Sequence, residues 1–512
     1  MWTTDPTCKE VIKAAMQIKF DGSSSYAFCR NLTLCRRELL KWNQKEFGYL
    51  QTQMKEINNQ LKQLQEHNAM CIMPTESSIQ KEQELLIQYD HLLQLQEMHW
   101  HQKSRQDWWK LGEMNTKYFH TLVIKRRHRA NISQIKDSNG TTHQQREDIG
   151  NCFVNYFSDL FSSTVDDLPG SYFDVIPQLV SDEDNECLLR PVQDSEVFEA
   201  LNHMGSLKAP GPDGFQALFF KNYWNEVGPK VLDLVQNLFN NGAFSKEINH
   251  THIVLIPKTN NPISPDHFRP ISLTNVVYKL ISKILVNRMR PILLKIISPH
   301  QSAFLPNRSL HDNALLTHEA FHTIRSKYNL KQNYFALKLD LQKAYDKLEW
   351  GFLQKVLRAF GFDETFVRKI MFCVKSISYS VLLNGSPFGY FCPTRGIRQG
   401  DPMSPYLFII CAEVLSLKLL ELQSNSDYDG IKLARNCQPL THLMYADDII
   451  IYGKTDLKQA VDINKVLEEY CAVAGNTAMH SKLYSDAIEL YSYAITLCES
   501  DSVYYRNRSM LD

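Results

Sequence analysis

The sequence predicts an α+β fold, and three observations carry that reading. Residues 191–474 mix short apolar runs with longer helical patterns and show no βαβ repeat. Ile253-Val254-Leu255-Ile256 and residues 335–339 read as strands. The Pro210-Gly211-Pro212-Asp213-Gly214 cluster ahead of them is turn punctuation.

A chain of 512 residues, 44% hydrophobic and 22% charged, can bury a sizeable core and hold several domains. Lys plus Arg equals Asp plus Glu at 56 each, so only local charge clusters can point to partners. The 12 cysteines include no CxxC pair. That spacing argues against a zinc knuckle or a disulfide framework and for reduced thiols in a cytosolic or nuclear protein. Residues 1–9 hold no apolar run of signal-peptide length. The longest apolar segment, residues 403–422, is interrupted by Glu413 and Lys418 and reads as a buried helix. No membrane partner is expected, and the expected location is nuclear or cytoplasmic.

Residues 1–100 read as a polar, helical N-terminal region. Phe47, Leu50, Met54, Ile57, Leu61 and Leu64 follow a 3-4-3-4-3 spacing, a heptad seam. It is short, so it is expected to pack on its own chain. Residues 73–78 break the helix at Pro74, and a second helix is expected over 79–98. Residues 101–190 open with a basic stretch. Lys103, Arg105, Lys110, Lys117, Lys125, Arg126, Arg127 and Arg129 alternate with Trp108, Trp109, Tyr118 and Phe119. Cations neutralise phosphates and rings stack on bases, so Lys125, Arg126, Arg127 and Arg129 are candidate nucleic-acid contacts. A solvated helix with buried aromatics explains the same residues equally well.

Two segments carry the chemistry. In the first, Phe335, Leu337 and Leu339 alternate with Ala336, Lys338 and Asp340, which places Asp340 at the exposed end of an apolar strand. In the second, Tyr445-Ala446-Asp447-Asp448 stands between apolar runs, as at the tip of a β-hairpin. Adjacent carboxylates repel unless a cation offsets them. Mg²⁺, with Mn²⁺ as an alternative, takes oxygen ligands, and a pair of such ions can clamp an in-line phosphoryl displacement. Asp340, Asp447 and Asp448 are therefore the candidate metal ligands and catalytic residues.

At these motifs the chain resembles the reverse transcriptases of plant non-LTR (LINE-type) retrotransposons, over residues 1–474. Residues 108–120 (WWKLGEMNTKYFH) resemble the segment before the fingers, and residues 208–215 (KAPGPDGF) the entry to the fingers. Leu255-Ile256-Pro257-Lys258 and Phe268-Arg269-Pro270-Ile271-Ser272-Leu273 are similar to the next two fingers motifs. The resemblance implies a right-hand polymerase fingers and palm over 191–474, with Lys258 and Arg269 on the incoming triphosphate. A planar fork and a point charge both suit phosphate oxygens, although surface salt bridges explain either residue taken alone. It further implies that Tyr345 is a steric gate against the ribose 2′-hydroxyl and that Asp346 is structural. Gln399 and Gly400, within residues 396–405 (GIRQGDPMSP), would lie against the template and the nascent base pair. Family members carry an endonuclease ahead of this region and a thumb after it; both are expected to be absent here.

Residues 475–512 resemble part of a tetratricopeptide repeat of small glutamine-rich cochaperones. Leu483, Tyr484, Ala487, Tyr491, Ala494 and Ile495 keep helical spacing, and Asn476 and Asn507 fall at clamp positions. Such a repeat needs stacked neighbours, so chaperone binding through this short all-α fragment is not expected. Ala472 stands where the clamp lysine belongs. The function expected is an RNA-directed DNA polymerase of a retrotransposon, using deoxynucleoside triphosphates on an RNA template with a DNA primer. The alternative is a non-catalytic retrotransposon-derived protein that binds nucleic acid or protein partners.

Overall fold

Apolar periodicity in the first hundred residues folds into four helices. These are α1 (Thr7–Gln17), α2 (Ser24–Glu46), α3 (Leu50–Met70) and α4 (Glu76–Ser104). The computed structural model describes residues 2, 5–70, 75–104, 121–126, 129, 131–163, 165, 169–327, 334–341, 343–425 and 428–475. Ser23 caps α2 by accepting the Tyr26 N–H at 3.3 Å, which satisfies one of the helix's orphan donors. The heptad seam packs on its own chain, as its length suggested. Phe47 is buried in one cluster with Leu92 and Leu95 of α4, and Leu50, Met54 and Ile57 pack against that cluster. The second helix is longer at both ends than residues 79–98.

A two-stranded ribbon, β1 (Ile135–Lys136) and β2 (Thr142–His143), leads to α5 (Arg146–Leu160). Glu147 and Asp148 in the first turn of α5 complement its dipole. After α6 (Trp224–Asn241) come β3 (His250–Pro257) and β4 (Phe268–Thr274), then α7 (Val276–Ile296) and α8 (Leu310–Lys327). Next are β5 (Tyr334–Asp340), α9 (Trp350–Ala359), α10 (Glu364–Lys375), β6 (Ser378–Leu383) and β7 (Ser386–Phe391). The chain closes its described part with α11 (Ser404–Ser424), β8 (His442–Tyr445), β9 (Asp448–Lys454) and α12 (Leu457–Ala474).

The strands form two further sheets. One has the order β4-β3-β6-β7 and the other β5-β9-β8. Both expected strands are present, as β3 and β5, and the mixture of helix and strand is α+β. Residues His250 to Val254 of β3 pair in parallel with Ser378 to Leu382 of β6, a pairing that local periodicity does not announce. Phe153 and Phe157 of α5 cover this sheet, sharing a core with Ile253, Leu255, Phe268 and Val381.

The three-stranded sheet is antiparallel throughout. Leu337, Leu339, Ile449 and Ile451 face the main core, which also holds the buried faces of α7, α9, α10, α11 and α12. On the other face, Ala336, Ile450 and Tyr452 meet Ala320 and Ile324 of α8. Cross-strand partners share a face, so Asp340 and Asp448 lie on this second face, at the opposite end from Ala336 and Tyr452. The helix therefore covers one end of that face and leaves the acids at the other.

Residues 404–422 fall on α11, with Met403 just ahead of it, and Glu413 is 1% exposed within the core. Among the described residues no helix is long and apolar enough to cross a membrane. Every described cysteine is a free thiol. The repeat-like residues 476–512, with Asn476 and Asn507, lie outside the described residues, as do residues 105–120 and Arg127.

Candidate active site

The site is built on one strand end and one hairpin tip. β5 ends at Asp340, whose direct partner across the ladder is Asp448, the first residue of β9. Tyr445 pairs with Asp448 in turn, so Ala446 and Asp447 form a two-residue hairpin loop. Ala446 has φ +64°, the left-handed conformation that such a loop demands at its first position. The Leu341 N–H donates to the Asp447 carbonyl at 3.3 Å and ties the loop to the end of β5.

Like charges placed directly opposite in a ladder destabilise it. Asp340 and Asp448 are such a pair, and Lys338 partly offsets it with its Nζ 3.2 Å from an Asp448 oxygen. Burial pushes the Asp447 carboxyl above the ordinary carboxylate range, Asp340 and Asp448 push it further, and Arg269 opposes them. A divalent cation fits this donor set: every donor is a hard carboxylate oxygen, and the repulsion among the three acids is what a cation relieves. Among the described residues no group of three or more His, Cys, Asp or Glu side chains is gathered closely enough to hold a metal ion by itself. Mg²⁺ commonly binds through one or two carboxylates plus substrate phosphates.

Beside the acids lies a cleft of about 570 Å³, lined by Asp340, Asp447, Lys258, Arg269, Tyr345, Gln399 and Gly400 among others. Sequence reasoning singled out all seven, and the fold brings them to one place. Asp448 is not part of the lining and pairs with Asp340 on the ladder. Lys258 directly follows β3 and Arg269 lies on β4, and the Lys258 Nζ donates to the Asp266 carbonyl at 2.9 Å. Tyr345 is held by ring stacking on Phe408, with centroids 4.8 Å apart.

Residues 396–405 pack against the turn that follows β5. The Ile397 N–H donates to the Tyr345 carbonyl at 2.7 Å, and the Gly396 N–H to the Leu348 carbonyl at 2.8 Å. Gly396 has φ +86°, and a Cβ there would lie 2.4 Å from the Asp346 carbonyl oxygen, so only glycine fits. The Ser272 N–H donates to the Gln399 carbonyl at 2.9 Å, and the Gln399 amide to Asp346 Oδ1 at 2.9 Å. Beneath the loop Arg398 is buried, 2.9 Å from an Asp401 oxygen and 3.8 Å above the Tyr278 ring. These contacts orient Gln399 and Gly400 from below.

Sequence reasoning missed two polar lining residues, Lys343 and Tyr156. Lys343 follows Asp340 in the same motif, adopts φ +57°, and donates from Nζ to the Tyr156 hydroxyl at 2.8 Å. Tyr156 comes from α5, and no local pattern marks it. Asp346, expected to be structural, is 4% exposed and does accept from Gln399. The basic residues Lys125, Arg126 and Arg129 are exposed and stand outside the cleft lining.

Asp340, Asp447 and Asp448 all fall within the part of the chain that is similar to known proteins. Residues 256–484 match the family model described as reverse transcriptase (RNA-dependent DNA polymerase). The chain is similar to the Transposon TX1 uncharacterized 149 kDa protein of Xenopus laevis, 27% identical over 74% of this chain and 28% of that protein. It is also similar to the retrovirus-related Pol polyprotein of the type-2 retrotransposable element R2DM of Drosophila melanogaster, 26% identical over 55% of this chain and 25% of the polyprotein. An uncharacterized mitochondrial protein of Arabidopsis thaliana is 48% identical over 67 residues, 13% of this chain and 55% of that protein. The chain spans about a quarter of the length of the two transposon relatives.

Proposed function

We propose that the chain is the fingers and palm of a LINE-type retrotransposon reverse transcriptase that extends a DNA primer on an RNA template. The four-stranded sheet corresponds to the fingers and the three-stranded sheet to the palm, within residues 191–474. The carrying observation is the facing pair Asp340 and Asp448, with Asp447 beside them, at the edge of a cleft that also holds Lys258 and Arg269. The similarity over 67 residues to a plant protein supports a plant lineage.

Asp340, Asp447 and Asp448 would hold divalent ions, Mg²⁺ or Mn²⁺, which when bound lower the pKa of the primer 3′-hydroxyl and offset charge on the leaving pyrophosphate. Lys258 and Arg269 orient the triphosphate, the first as a point charge and the second as a fork. The Tyr345 ring, fixed on Phe408, takes the space that a ribose 2′-hydroxyl would need. Gln399 and Gly400 support the nascent base pair, and Gly400 (φ +103°) allows close backbone approach. Lys125, Arg126, Arg127 and Arg129 would contact RNA phosphates outside the cleft. The proposed location is nuclear or cytoplasmic.

The test is primer extension by the purified chain on an RNA template, with Mg²⁺ or Mn²⁺, beside Asp447→Asn. Extension that vanishes in the variant supports the reading. Folded wild-type protein that extends no better than Asp447→Asn overturns it.

A further inference from the structure

We infer that Gln301 is a positioning residue for the loop that carries Asp447 and Asp448. The inference deepens the polymerase reading and rests on it. Ala446 is an L residue in the left-handed region, a strained conformation that persists only when surrounding groups impose it. One such group is visible. The Ala446 N–H donates to Gln301 Oε1 at 3.1 Å, and the Ala303 N–H donates to the same oxygen at 3.0 Å. Both partners are donors, so only the amide oxygen can face them. Gln301 is 1% exposed, so bulk water does not compete for this oxygen. Among the described residues its Nε2 is buried without a partner, and the oxygen alone fixes the side chain.

The backbone beneath Gln301 is itself held to β8. The Met444 N–H donates to the His300 carbonyl at 2.9 Å, and the Ser302 N–H to the Met444 carbonyl at 3.3 Å. Asn313 Nδ2 donates to both of those carbonyls, at 2.9 and 3.2 Å. Arg308 grips the other side, donating to the carbonyls of Ile297 at 2.7 Å, Gln301 at 2.8 Å and Ser298. Residues 297–303 are thus a braced segment that, among the described residues, reaches the Ala446–Asp447 loop with a side-chain hydrogen bond through the Gln301 oxygen. Without it the Tyr445–Ala446 peptide loses this tether, and the Leu341 N–H on the Asp447 carbonyl is left to hold the loop that positions the carboxylates. Misplacement of a reacting group by about 1 Å can cost on the order of a hundredfold in rate.

The test compares Gln301→Met, which keeps an unbranched side chain and removes the acceptor, with Gln301→Glu, which keeps an acceptor oxygen. Two readouts are taken: hydrogen–deuterium exchange at the Ala446 amide in the absence of substrate, and steady-state primer extension. Expected for Gln301→Met are exchange at Ala446 faster by about tenfold or more with β5 and β9 still protected, and kcat lowered by about tenfold or more with the nucleotide KM nearly unchanged. Gln301→Glu should recover part of both. Unchanged exchange at Ala446, or unchanged kcat in Gln301→Met, overturns the assignment. Global loss of protection in Gln301→Met passes the decision to Gln301→Glu: wild-type exchange with wild-type kcat supports the acceptor role, and wild-type exchange with low kcat overturns it. An Asp447→Asn chain as active as wild type overturns the polymerase reading instead, a result separable from either outcome at Gln301.

Discussion

The Gln399 side-chain amide donates to the buried Asp346 carboxylate across 2.9 Å, joining the 396–405 loop to the turn beyond β5. Burial pushes Asp346 up to about 6, while the Gln399 hydrogen bond and the charges of Lys343, Lys258 and Arg269 hold it down. A carboxyl raised by folding contributes stability below its unfolded pKa, and that contribution is lost as pH rises through about 6. Gln399→Ala removes the donor and leaves a buried acceptor, which should cost about 1–3 kcal/mol at neutral pH. Urea titrations at pH 5 and pH 7 check this. The cost should be larger at pH 7, where Asp346 carries its charge, and should nearly vanish in an Asp346→Asn background.

Removing a carboxylate from the acid constellation should unseat a bound ion worth several kcal/mol of transition-state stabilisation. Asp340→Asn, Asp447→Asn and Asp448→Asn are each expected to lower extension by orders of magnitude while the chain stays folded. Single-turnover extension is the measurement, and a near-normal rate in any one removes that residue from the site. Asp448→Asn should also relieve the facing-charge repulsion with Asp340, so its melting temperature without metal should not fall.

Tyr345 owes its position to stacking on Phe408. Tyr345→Ala empties the space beside Asp340 and should raise ribonucleotide incorporation relative to deoxynucleotide by about tenfold or more. Competition between the two nucleotide types in one extension reaction reads that ratio. An unchanged ratio would mean that sugar choice is made elsewhere.

Glu413 lies in the core on α11, and burial pushes its carboxyl up to about 8, against hydrogen bonds from Ser298. It is therefore neutral at pH 7. Its contribution is intact at low pH and is lost as pH rises through about 8, at up to about 1.4 kcal/mol per further pH unit. Glu413→Gln should match wild type at pH 7 and exceed it at pH 9. Denaturant midpoints at the two pH values provide the comparison.

Arg126 and Arg129 are exposed and stand outside the cleft lining. Neutralising Arg126, Arg127 and Arg129 with Gln should weaken RNA binding equally across sequences. It should also flatten the dependence of log K on log salt by about one unit for each phosphate that is no longer neutralised. Fluorescence anisotropy with a labelled single-stranded RNA measures the slope. An unaltered slope would return these residues to the role of a solvated helix face.

What the sequence made legible was local. Strand β5 is readable because Phe335, Leu337 and Leu339 alternate with polar neighbours, and the hairpin because two acids interrupt apolar runs. The heptad spacing from Phe47 to Leu64 marked a half-buried helix face, but its partner, α4, is a matter of tertiary packing. The convergence of Lys258 and Arg269 on the acids needed the family resemblance, since each alone reads as a surface cation. Tyr156, Lys343 and Gln301 were hidden because their roles exist only across long chain separations. The parallel pairing of β3 with β6 was hidden for the same reason, since neither strand's own pattern encodes its neighbour.

Asp340 and Asp448 meet across a strand pair whose members lie more than a hundred residues apart in the chain. Closing a loop of that size demands its entropy before the contact returns anything. During synthesis Asp340 therefore leaves the ribosome as a solitary carboxylate, and it stays solitary until β9 has been made and docked beside β5. Chemical competence thus arrives together with completed topology, and a chain halted before β9 would hold half a site.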